Sequence, residues 1–318
     1  MNIIVTGSIA YDYLMTFPGY FRDYILADKL DSISLSFLVD SMIRQRGGTG
    51  PNIAYTLALL GSHPSLVATA GEDFDEYRAW LEANGVDTQG VKVIPGKYTA
   101  SFFANTDKAN AQIASFYTGA MAHAREISVT TATRNKPDLV IISPNDPGAM
   151  AQYVEECKTN AIPYVYDPSQ QIVRIESDQL AAGIDGALAL FVNEYEFELL
   201  QKRTGFTADQ IISQVGFTVI TCGECGSQIF KDGIKHVIPI VPPKQIADPT
   251  GVGDAYRGGF FTGYDHELPI ELCGKMGALA ATYCLEQRGT QNHRFTISEF
   301  IQRFREHFDD QGELDKLL

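Results

Sequence analysis

Short apolar runs and amphipathic stretches alternate along most of this chain. Ile3–Thr6, Leu66–Thr69, Leu139–Ser143, Tyr164–Tyr166, Ala187–Val192 and Phe217–Thr221 are brief and largely apolar throughout, the pattern of strands buried on both faces of a parallel sheet. Between them, Ile53–Leu60, Asp75–Asn84, Ala149–Asn160, Glu194–Lys202 and Ala208–Gln214 carry a helical period. Ile270–Leu285 and Ile297–Phe308 read as helices covering the sheet. The alternation predicts an α/β fold with a doubly wound, mostly parallel sheet flanked by helices.

Two stretches break the rhythm. Tyr13–Arg46, with Ile33-Ser34-Leu35-Ser36-Phe37, alternates with a period of two. Val91–Tyr117 does the same, with Thr99–Phe103 and Ile113–Tyr117 flanking a polar turn at Thr106–Asn110. Both predict half-exposed antiparallel strands in a small sheet projecting from the body. The expected division is a core of residues 1–13, 47–90 and 118–318 and a β lid of residues 14–46 and 91–117. Gln228–Lys231 and Lys235–Ile238, joined through Asp232-Gly233, predict a hairpin.

Charge and cysteine usage narrow the setting. The 318 residues carry a net charge of −14, which argues against nucleic acid or an anionic membrane surface as partner. No apolar run reaches the length of a membrane span, and Met1–Gly7 enters a strand without a basic leader, so a cytoplasmic protein is expected. Five scattered cysteines read as free thiols of a reducing compartment. Cys222-Gly223-Glu224-Cys225 has CxxC spacing but no second pair to complete a zinc site.

The most informative stretch is Asp248-Pro249-Thr250-Gly251-Val252-Gly253-Asp254. Two glycines allow a tight turn whose N–H groups converge. The small-residue run Ala255–Tyr264 behind it predicts a helix, whose positive end adds to the same spot. Asp254 then stands at the lip of an anion pocket. Phosphoryl transfer to an alcohol needs both parts, fixed donors and a base for the hydroxyl proton. Taken alone, the stretch is equally compatible with a glycine-rich turn capped by an aspartate. Tyr256 occupies the place of the third glycine of a dinucleotide fingerprint, and no G-x-x-x-x-G-K-[ST] occurs, so neither of those sites is present.

Further signals stand in order along the chain: Gly7…Asp12 after the first strand, Gly47-Gly48-Thr49-Gly50-Pro51-Asn52 heading a helix, Asn193-Glu194-Tyr195-Glu196 after a buried strand, and Thr221-Cys222-Gly223-Glu224-Cys225-Gly226 after another. With the Asp254 turn, this ordered set resembles the ribokinase-like (PfkB) family of carbohydrate and nucleoside kinases over nearly the whole chain. Ser8–Asp12, Ser34–Arg46 and Phe116–Met121 look most like bacterial adenosine kinases.

The resemblance implies an ATP- and Mg²⁺-dependent kinase, with the 5′-hydroxyl of adenosine as the expected acceptor. It implies Asp254 as base and the amides of Gly251, Val252 and Gly253 as the anion hole. Asp12, Gly48 and Asn52 would hold sugar hydroxyls, and the lid aromatics Phe102, Phe116 and Tyr117 are candidates to stack a purine. Asn193 and Glu196 would face the triphosphate and the water shell of Mg²⁺, although the same pair also reads as a capping box. Thr221, Gly223 and Gly226 would line the nucleotide pocket, which makes the CxxC spacing a by-product of a T-x-G-x-x-G loop. Asp248 and the Thr250 carbonyl fall where relatives hold K⁺, with Gly289 in the neighbouring loop. Pro249 and Val252 depart from the threonine and alanine usual at those places. Other readings are a ribokinase- or fructokinase-like sugar kinase and a catalytically silent nucleoside-binding protein. Exposed lid edges admit a homodimer.

Overall fold

The computed structural model describes residues 1–32 and 34–318. The chain begins with β1 (Ile3–Thr6), β2 (Ala10–Thr16), β3 (Ser41–Gly47), α1 (Thr49–Leu59), β4 (Ser65–Ala70), α2 (Asp75–Ala83) and β5 (Val91–Val93). It continues through β6 (Ala100–Thr106), β7 (Gln112–Tyr117), β8 (Leu139–Ile142), α3 (Pro147–Thr159), β9 (Tyr164–Tyr166), α4 (Ser177–Ile184) and β10 (Ala189–Asn193). The remainder is α5 (Glu194–Thr204), α6 (Ala208–Ser213), β11 (Phe217–Thr221), β12 (Ser227–Lys231), β13 (Ile234–Ile238), α7 (Val252–Asp265), α8 (Ile270–Leu285) and α9 (Ile297–Arg305).

Nine strands form the main sheet in the order β13-β12-β11-β10-β9-β8-β1-β4-β5. It is parallel from β11 to β5, and the β12–β13 hairpin adds an antiparallel edge. The hairpin turn places Asp232 at φ 51° and Gly233 at φ 74°, as a tight two-residue turn with left-handed residues requires. Alternate residues of each strand feed opposite layers. Ile3, Val5, Leu66, Ile141 and Phe191 pack under α1, α2, α7, α8 and α9, while Ile4, Val67, Val140, Ile142 and Leu190 pack under α3 to α6. α7 lies between α1 and α8, and its small residues permit that. A Cβ on Gly258 would stand 2.5 Å from Thr56 of α1, and one on Gly259 would stand 2.6 Å from the Met276 carbonyl oxygen of α8.

The small sheet has the order β3-β2-β6-β7, with β2 and β6 parallel and the other pairs antiparallel. Its extent differs from the sequence division in three places. β2 starts at Ala10 and β3 runs to Gly47, so residues 10–13 and 47 belong to the lid sheet. Val91–Val93 pairs with β4 in the main sheet, because a short alternating run reads the same at the edge of either sheet. No strand forms over residues 34–37 of the expected Ile33–Phe37, and Ile33 lies outside the described residues. Phe37 instead packs edge-on against the rings of Phe17 and Phe21. The expected elements do not include α4, an eight-residue helix that buries Leu180, Gly183 and Ile184.

Candidate active site

The candidate residues gather at the carboxyl ends of the parallel strands, where open α/β sheets place their ligands. Ser8 follows β1, Pro144 follows β8, Asp167 follows β9, Asn193 ends β10 and Thr221 ends β11. Two helices begin at the same place. α1 is capped by Gly48 and α7 by Gly251, neither of which offers a side-chain cap to the first amides. Gly48 has φ 93°, and a Cβ there would lie 2.2 Å from the Ser8 carbonyl oxygen. Gly251 has φ 77°, and a Cβ there would lie 2.8 Å from Thr290. Both turns therefore require glycine. The amides of Gly251, Gly253 and Asp254 carry no hydrogen bond to the described residues, whereas Val252 N–H turns back toward the Pro249 carbonyl at 3.5 Å. The free donors of the turn are thus Gly251, Gly253 and Asp254; the sequence set of Gly251, Val252 and Gly253 differs by one. Asp248 fastens the turn, since its carboxylate accepts from Thr250 N–H at 2.9 Å and from Gly289 N–H at 3.0 Å.

Two cavities meet at Asp254. One, of about 220 Å³, is polar and walled by Asn193, Glu196, Thr221, Asp167, Arg257 and the amide turn. The other, of about 510 Å³, runs under the lid between Asp12, Gly48 and Asn52 on one side and Leu14, Phe102, Phe116 and Met121 on the other. Thr49, Pro144, Gln170, Gly251 and Asp254 border both. Asn52 Nδ2 donates to Asp254 Oδ2 at 2.8 Å. Burial pushes the Asp254 carboxyl up, the Arg257 guanidinium and the Asn52 bond pull it back, and it stands at about 6. It is therefore mostly ionised at neutral pH. Burial, followed by the neighbouring Asp248 carboxylate, also pushes Asp12 to about 6. No protein donor reaches the Asp12 side chain among the described residues, so it faces the cavity in need of hydroxyl partners.

Asn193 and Glu196 form the capping box of α5: Asn193 Oδ1 accepts from Glu196 N–H and Glu196 Oε2 accepts from Asn193 N–H, each at 2.8 Å. Glu196 Oε1 accepts from Ser169 Oγ at 3.1 Å. Both oxygens of the carboxylate are engaged, yet its remaining lone pairs still border the polar cavity. That suits contact with a metal's water shell better than direct ligation. Among the described residues no group of three or more His, Cys, Asp or Glu side chains is placed to hold a metal ion. Thr221 lines the cavity, while Gly223 and Gly226 lie outside its wall and shape the turn that follows β11, with φ 55° and 87°. Cys222 is buried and Cys225 exposed, both as free thiols.

Cross-strand register sorts the lid aromatics. Phe102 pairs with Phe116 on the cavity face. Tyr117 falls one residue on and so faces the opposite side, which removes it from the stacking candidates. Arg257 and Asp167 carried no motif. Arg257 Nη2 donates to Asp167 Oδ1 at 2.8 Å and Nη1 to the Gly253 carbonyl at 2.9 Å. Burial alone would loosen the arginine's proton, but the Asp167 carboxylate outweighs it and raises Arg257 above its ordinary value. A charged residue set in the small and apolar run Ala255–Gly263 was the available signal, because such a residue is buried only with a partner.

A carboxylate at the junction of two cavities, free amides at a helix start and a polar cleft continuous with a second, apolar one define a phosphotransferase that acts on an alcohol. The pfkB family carbohydrate kinase model matches residues 19–296, and the chain belongs to that family. It is similar to a nucleoside kinase from Burkholderia thailandensis solved in complex with inosine, at 35% identity and a TM-score of 0.85, covering 96% of this chain and 98% of that one. The Methanocaldococcus jannaschii nucleoside kinase superposes with a TM-score of 0.86 at 26% identity, over 96% of this chain and 99% of the other. A nucleoside kinase from Methanothermobacter thermautotrophicus is 26% identical over 306 residues, 95% of each chain.

Proposed function

We propose that this protein transfers the γ-phosphoryl group of ATP to the 5′-hydroxyl of a purine nucleoside, with adenosine and inosine as acceptors. The observation that carries this reading is the meeting of the two cavities at Asp254. The polar one suits a triphosphate between Asn193, Thr221 and the amide turn. The other offers Asp12 and Gly48 to sugar hydroxyls and then continues between Phe102, Phe116 and Met121, an apolar slot that a bare sugar would leave unfilled. A relative solved with inosine, and again with ADP-inosine, supports a nucleoside over a free sugar.

In this reading Asp254 accepts the hydroxyl proton while the amides of Gly251, Gly253 and Asp254 hold the phosphoryl oxygens. Closing the four-stranded lid would exclude water and hold the hydroxyl in line with the phosphoryl group. Mg²⁺, bound with the triphosphate, supplies charge neutralisation, and Glu196 and Asn193 would hold its water shell. A monovalent cation would have to share the Asp248 carboxylate with the Thr250 and Gly289 amides and take the Thr250 carbonyl as a further ligand.

Incubation with ATP and Mg²⁺ against adenosine, inosine, ribose and fructose, following ADP, tests the assignment. Turnover is expected with the nucleosides and not with the free sugars. Turnover confined to ribose or fructose would make it a sugar kinase, and no turnover on any acceptor would make it a silent binder.

A further inference from the structure

The Asn52–Asp254 hydrogen bond is the last link of a buried chain whose donors run outward from Gln291 in both directions. At its far end the Gly47 carbonyl, which can only accept, receives the Tyr77 hydroxyl at 2.9 Å. With its proton committed there, Tyr77 Oη accepts from Gln291 Nε2. The second hydrogen of the same Nε2 goes to Asn52 Oδ1 at 2.8 Å. That leaves Asn52 Nδ2 as the group turned to Asp254 Oδ2. The members are buried, with Tyr77 0%, Gln291 2% and Asn52 4% exposed, and of the three only Asn52 borders the substrate cavity.

Reversing any one amide breaks the order. An Asn52 turned over would aim Oδ1 at the Asp254 carboxylate and Nδ2 at Gln291 Nε2, setting acceptor against acceptor and donor against donor. A Gln291 turned over would set Oε1 against Asn52 Oδ1. If both turned, Tyr77 would give its proton to Gln291 Oε1 and leave Gly47, and Asn52 Oδ1 would then require a proton on Asp254. The whole chain thus has two proton orders, one matched to an ionised Asp254 and one to a protonated Asp254. The Gly47 carbonyl, at the end of lid strand β3, selects the first.

We propose that Gln291 is a positioning residue for the phosphoryl transfer: as a double donor held by Tyr77 and Gly47, it fixes the Asn52 amide so that its NH₂ faces Asp254 and holds the base ionised. The proposal rests on the kinase reading above and adds to it the device that keeps the base in working form. Gln291 touches neither cavity that holds the reactants, so its effect reaches the reaction only through Asn52. Other groups bear on the same carboxylate: Arg257 from its own helix, Asp167 beyond that guanidinium and Cys284 from α8, while Asp12 lines the same cavity. None of them contacts Gln291 among the described hydrogen bonds, so a Gln291 substitution leaves this background in place. Gln291 Oε1 has no partner in the buried chain, which agrees with a side chain kept for its donors.

The test is the pH dependence of kcat/KM in Gln291→Met, which keeps the volume and removes both donors, beside the unaltered enzyme. Loss of a hydrogen bond to a charged group corresponds to a rise of about 1 to 2 pH units in the acid limb. The variant is therefore expected to be about fivefold to fiftyfold slower at pH 6 and to approach the unaltered rate at pH 8.5, with KM for ATP unchanged. A loss of equal size at every pH, with the limb unmoved, would show a merely structural role and overturn the proposal. Should Gln291→Met fail to fold, Tyr77→Phe, which removes the hydroxyl that orients Nε2, is read the same way: the limb moves up, or the proposal falls. An unaltered enzyme that turns over no alcohol, or whose acid limb survives Asp254→Asn, would remove the kinase reading itself. An unmoved limb in the Gln291 variant beside an Asp254-dependent limb in the unaltered enzyme removes the positioning role alone.

Discussion

Asp254→Asn is expected to fold normally and to lose about 10² to 10⁴ in turnover, the usual worth of a positioned base. The fold should survive because the native carboxyl is held up at about 6 by burial; a neutral amide relieves that strain and can still accept from Asn52. The chemistry should not survive, because an amide cannot take the hydroxyl proton. The amide turn and the nucleotide cleft are untouched, so KM for ATP should change little. The contrast of intact binding and lost turnover distinguishes loss of an interaction made in the transition state from loss of binding. Turnover close to that of the unaltered enzyme would take Asp254 out of the reaction.

Arg257→Leu is expected to destabilise the fold by about 3 to 5 kcal/mol, the range for a buried ion pair stripped of one partner. The side chains of Arg257 and Asp167 are 7% and 1% exposed, so Asp167 would be left buried without its guanidinium partner and driven to take up a proton, a direction in which burial already pushes it to about 7. Asp167→Leu should cost about as much, for the mirror-image reason. The double replacement is the informative one: two apolar side chains fill the space without leaving a charge, and most of the lost stability should return. Urea unfolding of the four proteins measures this. Single variants that lose less than about 1 kcal/mol would mean that the pair is reached by water and carries no such burden.

Most of the architecture was legible because buried parallel strands announce themselves. Ile3–Thr6, Tyr164–Tyr166 and Phe217–Thr221 match the observed strands residue for residue; no charged residue interrupts their run, and the one interior polar residue, Thr218, is β-branched and suits a strand. The lid was legible as alternation, but its edges were not. Period two marks a half-buried strand without saying which sheet it joins, so Val91–Val93 reads as lid yet pairs with β4 in the main sheet. At the site, the glycine turn, Asp12 and the Asn193–Glu196 pair were visible because each is a local pattern. The Arg257–Asp167 pair and the links from Asn52 through Gln291 to Tyr77 were not. Their partners lie far apart in the chain, and only the packing of α7 against the strand ends, and of the α8–α9 connection against α1, brings them together.

The most direct measurement is kcat/KM against pH, which titrates the base before the reactants cover it, in the unaltered enzyme and in Asp254→Asn. A base with its carboxyl at about 6 must lose its proton to work. The unaltered rate should therefore rise about tenfold per pH unit up to roughly 6 and then level, while the residual rate of the variant stays flat. An unaltered rate that is level from pH 5 to 8, or the same acid limb in Asp254→Asn, would contradict proton removal by this carboxylate.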